Sequence, residues 1–486
     1  MSIENPATTS PRATSSTVTG GRAQVALLVV LFASFMDLLD ATIVTVAAPS
    51  VAAELPATQS QLQWILAAYP LALGSGLITG GRIGDEFGRR RVFLASLVAF
   101  ALTSAACALA PSAGMLIAMR AVQGLAGGVM VPQVFGIIRS SFAPASMARA
   151  FGAFGAVQGL ASVAGPLLGG ALVAADLWDL AWRTIFWVNV PVGAVALVLG
   201  IRVLPESSAP RRARLDLAGA ALSALAIALI LLPLVQGRDW GWPWWGWLLL
   251  AAGGGLLAGF GWHEHALAAR GGAPVLPPAL LRTRSFTAGL AAAVLFFGAL
   301  GSFFLVLSLY LQAGTGRSAW QTGLVILPYA IGSIVTSGVG VRLAARAGRS
   351  LLVTGSLLLA ASQAVLWALV RDGGRPGYWP LGAALLLGGL GLGLAAPILV
   401  NVVLAGVPGR HAGAAGGALS TVNQIGGATG VAVLGTVFFA ALAPARSAAE
   451  TFGDALATVL PIQMAVYLVA ALLMLALPGR AGTHRT

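Results

Sequence analysis

The sequence predicts an all-α polytopic membrane protein with fourteen transmembrane helices, arranged as two six-helix bundles with two extra helices between them. Of the 486 residues, 58% are hydrophobic and only 9% are charged, whereas soluble domains carry about 25% charged residues. Apolar stretches of about 20 residues, the length that a helix needs to cross a bilayer, recur along the chain. An internal repeat then relates the first part of the chain to the last.

Fourteen apolar stretches define the predicted helices. They lie at 24–48, 62–80, 91–110, 113–135, 150–174, 184–203, 216–236, 244–264, 286–311, 319–341, 349–370, 380–404, 412–440 and 460–478. Because their number is even, both termini are expected on the same side of the membrane. A cleaved signal peptide is not expected, because the first stretch is too long and contains two acids.

The distribution of arginine predicts the orientation. All 28 basic residues are Arg, and under this assignment most of them fall in loops on one side of the membrane. Cytoplasmic loops carry the excess of positive charge, so both termini are predicted to be cytoplasmic. The use of Arg alone as the basic residue, with abundant Ala and Gly, indicates a bacterial gene, so a bacterial plasma membrane is the expected location. The net charge of +13 is therefore attributed to membrane topology, and no nucleic-acid partner is predicted.

The repeat divides the chain into two halves. Residues 61–89 align without a gap on 321–349, and Gln61, Tyr69, Gly80, Arg82, Gly88 and Arg89 meet the same residue types at Gln321, Tyr329, Gly340, Arg342, Gly348 and Arg349. Two halves with a site at their interface are a transporter plan. The predicted organisation is a disordered cytoplasmic tail at 1–23, an N-terminal six-helix bundle at 24–205, two inserted helices with cytoplasmic linkers at 206–284, a C-terminal six-helix bundle at 285–480 and a cytoplasmic tail at 481–486.

The composition also argues against several functions. There is no Lys, so the chain has neither a Walker A loop nor a lysine Schiff base. No His-Glu-x-x-His motif, nucleophile–base pair or metal cluster is visible at membrane depth, so no enzyme activity and no metal site are predicted. His263-Glu264-His265 is interpreted as interface charge, and the single Cys107 has no partner for a disulfide.

Three charged residues lie deep in predicted helices. Asp37 and Asp40 are in the first apolar stretch and, three residues apart, share one helix face. Arg120 is in the fourth stretch, where an unpaired guanidinium is costly, so Asp40 or Asp37 is its expected partner. Pairing with Arg favours the carboxylate and burial favours the neutral acid. We therefore expect these three residues to couple proton movement to transport, with Asp40 as the main proton-binding carboxylate. Asp37 is expected to be either a second acid for cationic substrates or a water-facing residue without a role. A fixed Asp–Arg pair that only holds two helices together is the alternative.

The loop after the second stretch reads Gly81-Arg-Ile-Gly-Asp-Glu-Phe-Gly-Arg-Arg-Arg91. Its glycines allow a tight turn, and Asp85 can pair with Arg89 four residues on. This segment resembles the signature loop of the major facilitator superfamily, in which it acts as a gate. The expected gating residues are Gly81, Arg82, Gly84, Asp85, Gly88, Arg89 and Arg90. The second copy of the loop has Ala345 in place of the acid, and we interpret it as degenerate.

Other segments resemble the fourteen-helix drug:proton antiporter branch of that superfamily. They are Leu39-Asp-Ala-Thr-Ile-Val-Thr-Val-Ala-Ala-Pro49, Arg120-Ala-Val-Gln-Gly124, Gly165-Pro-Leu-Leu-Gly-Gly170, Trp182-Arg-Thr-Ile-Phe-Trp-Val-Asn-Val-Pro-Val-Gly193 and Asn423-Gln-Ile-Gly-Gly427. The first departs from the branch signature at Thr45 and Ala48. The resemblance implies that Gly165, Pro166, Gly169 and Gly170 form the antiporter motif, which controls leak and the direction of exchange.

The expected function is proton-coupled export of amphipathic, often cationic, small molecules by alternating access. The proton gradient is the driving force, so no cofactor is expected, and the expected partners are the small-molecule substrate and the lipid bilayer, with the protein as a monomer. Candidate cavity residues are Met36, Tyr69, Gln123, Gln158, Phe296, Phe297, Tyr310, Gln312, Tyr329 and Asn423. Transport of another solute, such as a lipid, sugar or siderophore, by the same fold is the alternative.

Overall fold

The structure is a computed structural model, and it describes residues 20–142, 144–207, 216–272, 274, 276, 278–373, 375–405, 407, 412–442 and 447–477. The predicted tails lie outside these residues, apart from 20–23, which already belong to the first helix. The long helices are α1 Gly20–Glu54, α2 Gln59–Phe87, α3 Arg89–Ala108, α4 Ala113–Ser141, α5 Pro144–Ala175, α6 Asn189–Val203, α7 Leu217–Gln236, α8 Trp244–Ala269, α9 Arg284–Leu309, α10 Ala319–Val370, α11 Tyr378–Ala405, α12 Ala412–Ala440 and α13 Ala448–Leu475.

Fewer membrane-spanning helices are counted among the described residues than the sequence predicted. Among the described residues, twelve helices are long and apolar enough to cross a membrane, and α2 makes a thirteenth if its two arms, which meet at 49°, count as one span. A count of fourteen is not supported. The difference falls at the fifth predicted stretch. The helix α5 has 32 residues, but only its last part, Ala164–Ala175, is described with all of its side chains.

The largest boundary error lies in α13. The two helices predicted at 319–341 and 349–370 both fall within α10, which is interrupted by a kink at Ala347 (φ −136°, ψ 25°). Ala319–Gly338 and Ala347–Val370, on either side of this kink, count as two membrane-spanning helices. The last helix starts at Ala448 instead of 460, because Ser447 caps it and Glu450 is tolerated in its first turn.

The predicted repeat has a structural counterpart at the start of α2 and α10. Thr58 and Ser318 each form a capping box with the glutamine three residues later, Gln61 and Gln321. The two copies then diverge. Gly88 adopts a positive φ of 97° and ends α2, whereas in α10 the break falls at Ala347, one residue before Gly348.

Two hydrophobic cores show how the halves pack. One core joins α9–α13 to the parts of α1–α4 nearest the α1–α2 turn, and it includes Ile43, Ile65 and Leu116. The second core contains only residues from the first half, such as Phe93 and Ile137, near the α2–α3 turn. Among the described residues, the halves therefore share a core at the α1–α2 end, while the first half has a core of its own at the α2–α3 end.

Candidate functional site

The centre of the first half is a buried ion pair between α1 and α4. Asp40 and Arg120 are each only 1% exposed, and the Arg120 Nη1 atom forms a salt bridge with Asp40 Oδ2. The sequence left open which acid pairs with Arg120, and the structure places Asp40 there. Gln123, three residues along α4, donates from Nε2 to Asp40 Oδ1 (3.0 Å) and accepts from Arg120 Nη1 (2.9 Å).

A third donor to the carboxylate comes from the start of α6. The Asn189 side chain donates to Asp40 Oδ1 at 2.8 Å and to Ser104 Oγ at 3.0 Å. Ser104, on α3, in turn donates to the backbone oxygen of Phe186 at 2.9 Å. Sequence reasoning did not identify Asn189 or Ser104 as site residues. The available signal was the Trp182 to Gly193 segment, which contains Asn189.

Asp37 is connected to this pair through Tyr69 of α2. The Tyr69 hydroxyl donates to Asp37 Oδ1 at 2.5 Å, and the guanidinium carbon of Arg120 lies 4.2 Å from the centre of the Tyr69 ring. A cation over an aromatic face is attracted to it. The ring therefore contacts the cation while its hydroxyl binds the second acid. Gly127 of α4 leaves room for this hydrogen bond, because a Cβ atom there would lie 2.6 Å from Asp37 Oδ1.

Together these contacts form one polar network, which we call the Asp40 network: Asp37, Asp40, Tyr69, Ser104, Arg120, Gln123 and Asn189. It joins α1, α2, α3, α4 and α6 inside an apolar bundle. Buried ion pairs contribute little net stability, because desolvation offsets the attraction between the charges. What the network does provide is a buried carboxyl group, that of Asp40, held between one guanidinium and two side-chain amides.

The residues predicted to form the gate lie at the α2–α3 turn. Asp85 Oδ1 accepts from Arg89 Nε at 3.1 Å and from Arg89 Nη2 at 2.9 Å. Glu206, which follows α6, accepts from the backbone N–H of Arg90 at 3.2 Å. A Cβ atom at Gly88 would lie 2.7 Å from Glu206 Oε1, so glycine is needed there both for its positive φ and for this contact.

The other predicted gate residues tie the turn to its surroundings. Arg90 donates to the backbone oxygen of Ile201 at 2.5 Å, and Arg82 donates to that of Pro274 at 3.0 Å, in the linker after α8. Gly81 and Gly84 face α4. The turn therefore contacts α4, the end of α6 and the linker to the second half.

The Gly165 to Gly170 element lies where α5 meets α1 and α10. A Cβ atom at Gly165 would overlap Thr42 Oγ1, and one at Gly169 would lie 2.8 Å from Ile43 Cγ1. A Cβ atom at Gly170 would lie 2.4 Å from the backbone oxygen of Ala319 at the start of α10, and Pro166 lies within α5. Close packing of α5 against both halves therefore depends on these small residues.

The candidate cavity residues have different environments. Met36, Phe296 and Tyr310 are buried in apolar packing, and Gln312 donates to the backbone oxygen of Val46 at 2.8 Å. Asn423 Oδ1 and the Tyr329 hydroxyl are buried without a hydrogen-bond partner in the described structure. Tyr69 and Gln123 belong to the Asp40 network, Phe297 is partly buried against the shared core, and the side chain of Gln158 lies outside the described residues.

Comparison with known proteins identifies the family. Residues 30–431 match the sequence profile described as Major Facilitator Superfamily. The chain belongs to the Major Facilitator Superfamily. This membership makes it a multi-pass membrane transporter, and it confirms the resemblance at the level of the superfamily.

Two curated members of the superfamily are similar over most of the chain. A probable actinorhodin transporter of Streptomyces coelicolor is 40% identical, over 89% of this chain and 75% of that protein. The tetracenomycin C resistance and export protein of Streptomyces glaucescens is 37% identical, over 86% of this chain and 76% of that protein. Both names describe transport or export of an antibiotic-type compound.

The fold is also found in solved transporter structures. A bacterial homologue of the human lysosomal transporter Spinster, in an inward-facing and occupied conformation, aligns with a TM-score of 0.67 and 14% identity, over 94% of this chain and 97% of that chain. At this identity the likeness shows the fold alone.

Proposed function

We propose that this transporter exports amphipathic, often cationic, small molecules in exchange for protons, as a member of the fourteen-helix drug:proton antiporter branch. The observation that carries the proposal is the buried salt bridge between Asp40 and Arg120. Export is further supported by the similarity to the actinorhodin and tetracenomycin C proteins. The protein acts as a monomer in the bacterial plasma membrane with both termini in the cytoplasm, and the proton gradient replaces a cofactor.

The coupling step follows from what Asp40 contacts. As an anion, Asp40 accepts from Arg120, Gln123 and Asn189, and thereby ties α1 to α4 and α6. A proton on the carboxyl removes the charge that Arg120 requires and turns one accepting oxygen into a donor that faces other donors. The contacts between α1 and its neighbours weaken, so the protonated and deprotonated states favour different arrangements of these helices.

Asp37 supplies a second acid in the same network. Because Tyr69 contacts both Asp37 and the Arg120 guanidinium, a change of charge at one acid is felt at the other. We assign Asp37 to the recognition of cationic substrates, since an anion at membrane depth attracts a cation. Proton binding and substrate binding then compete through one set of hydrogen bonds.

The alternating-access movement is a rotation of the two halves of the protein relative to one another. Hydrogen bonds from Gln312 to Val46 and from Gln63 to Thr436 join them near the α1–α2 end, and α5 packs on α10 through Gly170 at the same end. The Asp85–Arg89 gate lies at the other end. Rocking of one half against the other about the Asp40 network would expose it to each side in turn.

The test is transport in proteoliposomes with an imposed pH gradient, over a panel of cationic, neutral and anionic compounds. We expect cationic amphipathic compounds to move against the proton flow and to stop moving when a protonophore dissipates the gradient. Transport that ignores the gradient for every compound would remove the antiport proposal. Gradient-driven transport of only sugars or lipids would show that the proposed substrate class is wrong and that the proposed proton coupling is right.

A further inference from the structure

The inserted helices bring together three possible metal ligands at the end of the molecule that carries the gate. Asp216 precedes α7 and caps it, because its Oδ1 accepts from the Gly219 backbone N–H at 2.9 Å. His263 Nε2, near the end of α8, lies 2.9 Å from the same oxygen. With the Glu264 carboxylate, each residue offers one ligand atom, and these atoms all lie within 4.8 Å of one another.

Two oxygens of this cluster lack a hydrogen-bond donor. Glu264 is only 2% exposed, and its Oε2 accepts from the Leu276 backbone N–H at 2.6 Å. Its Oε1 and the Oδ2 of Asp216 are buried without a partner in the described structure. A Cβ atom at Gly219 would lie 2.4 Å from Asp216 Oδ2 and 2.8 Å from Glu264 Oε1. Both unpaired oxygens therefore converge on the space beside Gly219.

Two buried carboxylate oxygens that face one another need either a shared proton or a cation between them, because two unpaired buried charges are costly. We propose that Asp216, His263 and Glu264 bind a divalent transition-metal ion of the zinc type. One imidazole nitrogen and two carboxylate oxygens are ligands that Zn²⁺ accepts. The His263 side chain is 28% exposed and gives the ion a way in.

The site also has a structural consequence for the gate. Glu264 holds the linker after α8 through the Leu276 N–H, and Arg82 of the gate donates to Pro274 in the same linker. A metal ion on Glu264 fixes this carboxylate and, through it, the linker that leads to the second half. Sequence interpretation assigned His263 and Glu264 to interface charge because Asp216 lies far from them in the chain.

The experiment uses the full-length protein purified in detergent with a tag that contains no histidine and stripped of metal with a chelator. Zn²⁺ is then added, and bound metal is counted by elemental analysis after desalting, with affinity measured by calorimetry. We expect one Zn²⁺ per chain, together with a higher melting temperature. Co²⁺ in its place should give a visible absorption band from a site with nitrogen and oxygen ligands.

The variants separate this site from adventitious binding. His263→Ala and Glu264→Gln should bind Zn²⁺ about tenfold more weakly or worse, and Gln still offers an oxygen to the Leu276 N–H. His265→Ala is the matched control, because His265 is exposed and its ring contacts only the backbone oxygen of Gly261 in the described structure. Absence of stoichiometric binding by the unaltered protein would overturn the proposal and leave a shared proton between the two acids. An equal loss of Zn²⁺ affinity in His263→Ala and His265→Ala would also overturn the proposed site.

Discussion

The Asp40–Arg120 pair predicts an unequal response to single and double neutralisation. Asp40→Asn leaves the Arg120 guanidinium, 1% exposed, without an anion. Removal of one partner of a buried pair costs about 3–5 kcal/mol because the other charge stays buried without compensation, whereas removal of both partners leaves no such charge. Asp40→Asn and Arg120→Gln should each lower the free energy of unfolding by that amount, and the double variant should lose less than the sum of the two.

The assay is chemical unfolding of purified protein in mixed micelles. The unaltered protein, the two single variants and the double variant together form a double-mutant cycle. We expect a coupling energy of about 2 kcal/mol, within the usual range for residues in contact. The Glu54–Arg183 pair is the control, because its side chains are 44% and 21% exposed and such surface pairs contribute about 0–1 kcal/mol. Additive losses at Asp40 and Arg120, or a coupling no larger than that of the control pair, would refute the reasoning.

Two further predictions concern Asp37. Tyr69→Phe should lower the free energy of unfolding by about 1–3 kcal/mol, because it leaves a buried acceptor on Asp37 unsatisfied. Its repeat counterpart Tyr329→Phe should leave stability unchanged or raise it, because the Tyr329 hydroxyl is buried without a partner in the described structure. Equal effects of the two substitutions on unfolding in micelles would contradict this prediction. Gly127→Ala should lower the free energy of unfolding by about 1–3 kcal/mol, because the added Cβ atom overpacks against Asp37. In Gly114→Ala, on the same helix, the added Cβ atom meets nothing within 4 Å, and the free energy of unfolding should not fall. Similar melting temperatures for these two variants would show that the space around Asp37 is not tightly packed.

The sequence predicts the positions of the helices well and their number less well. Apolar stretches such as 91–110 and 113–135 are separated by Pro111, and the structure ends α3 at Ala108 and starts α4 at Ala113. The main boundary error is at α13, which starts at Ala448 because Ser447 caps it. The kink at Ala347 separates the two helices that the sequence predicted within α10, and α5 is described with all of its side chains only over Ala164–Ala175.

The candidate site shows a similar division. Asp40 and Arg120 could be predicted to interact because an isolated charge at membrane depth demands a partner. The partners Asn189 and Ser104 could not, because an amide or hydroxyl at membrane depth carries no comparable penalty and many such residues occur in the chain. Glu206 was likewise not predicted, since its contact with the gate depends on how α6 ends beside α3.

Coupling at Asp40 is tested most directly by proton movement itself. Full-length protein in liposomes with an entrapped pH-sensitive dye is given a transported cationic substrate, and proton flux and substrate flux are recorded together for the unaltered protein, Asp40→Asn and the control Glu54→Gln. We expect coupled proton and substrate fluxes in the unaltered protein and in Glu54→Gln, and neither flux in Asp40→Asn. Asp40→Asn should still elute as a folded protein in size-exclusion chromatography. Coupled fluxes in Asp40→Asn equal to those of the unaltered protein would contradict the role of Asp40 in coupling.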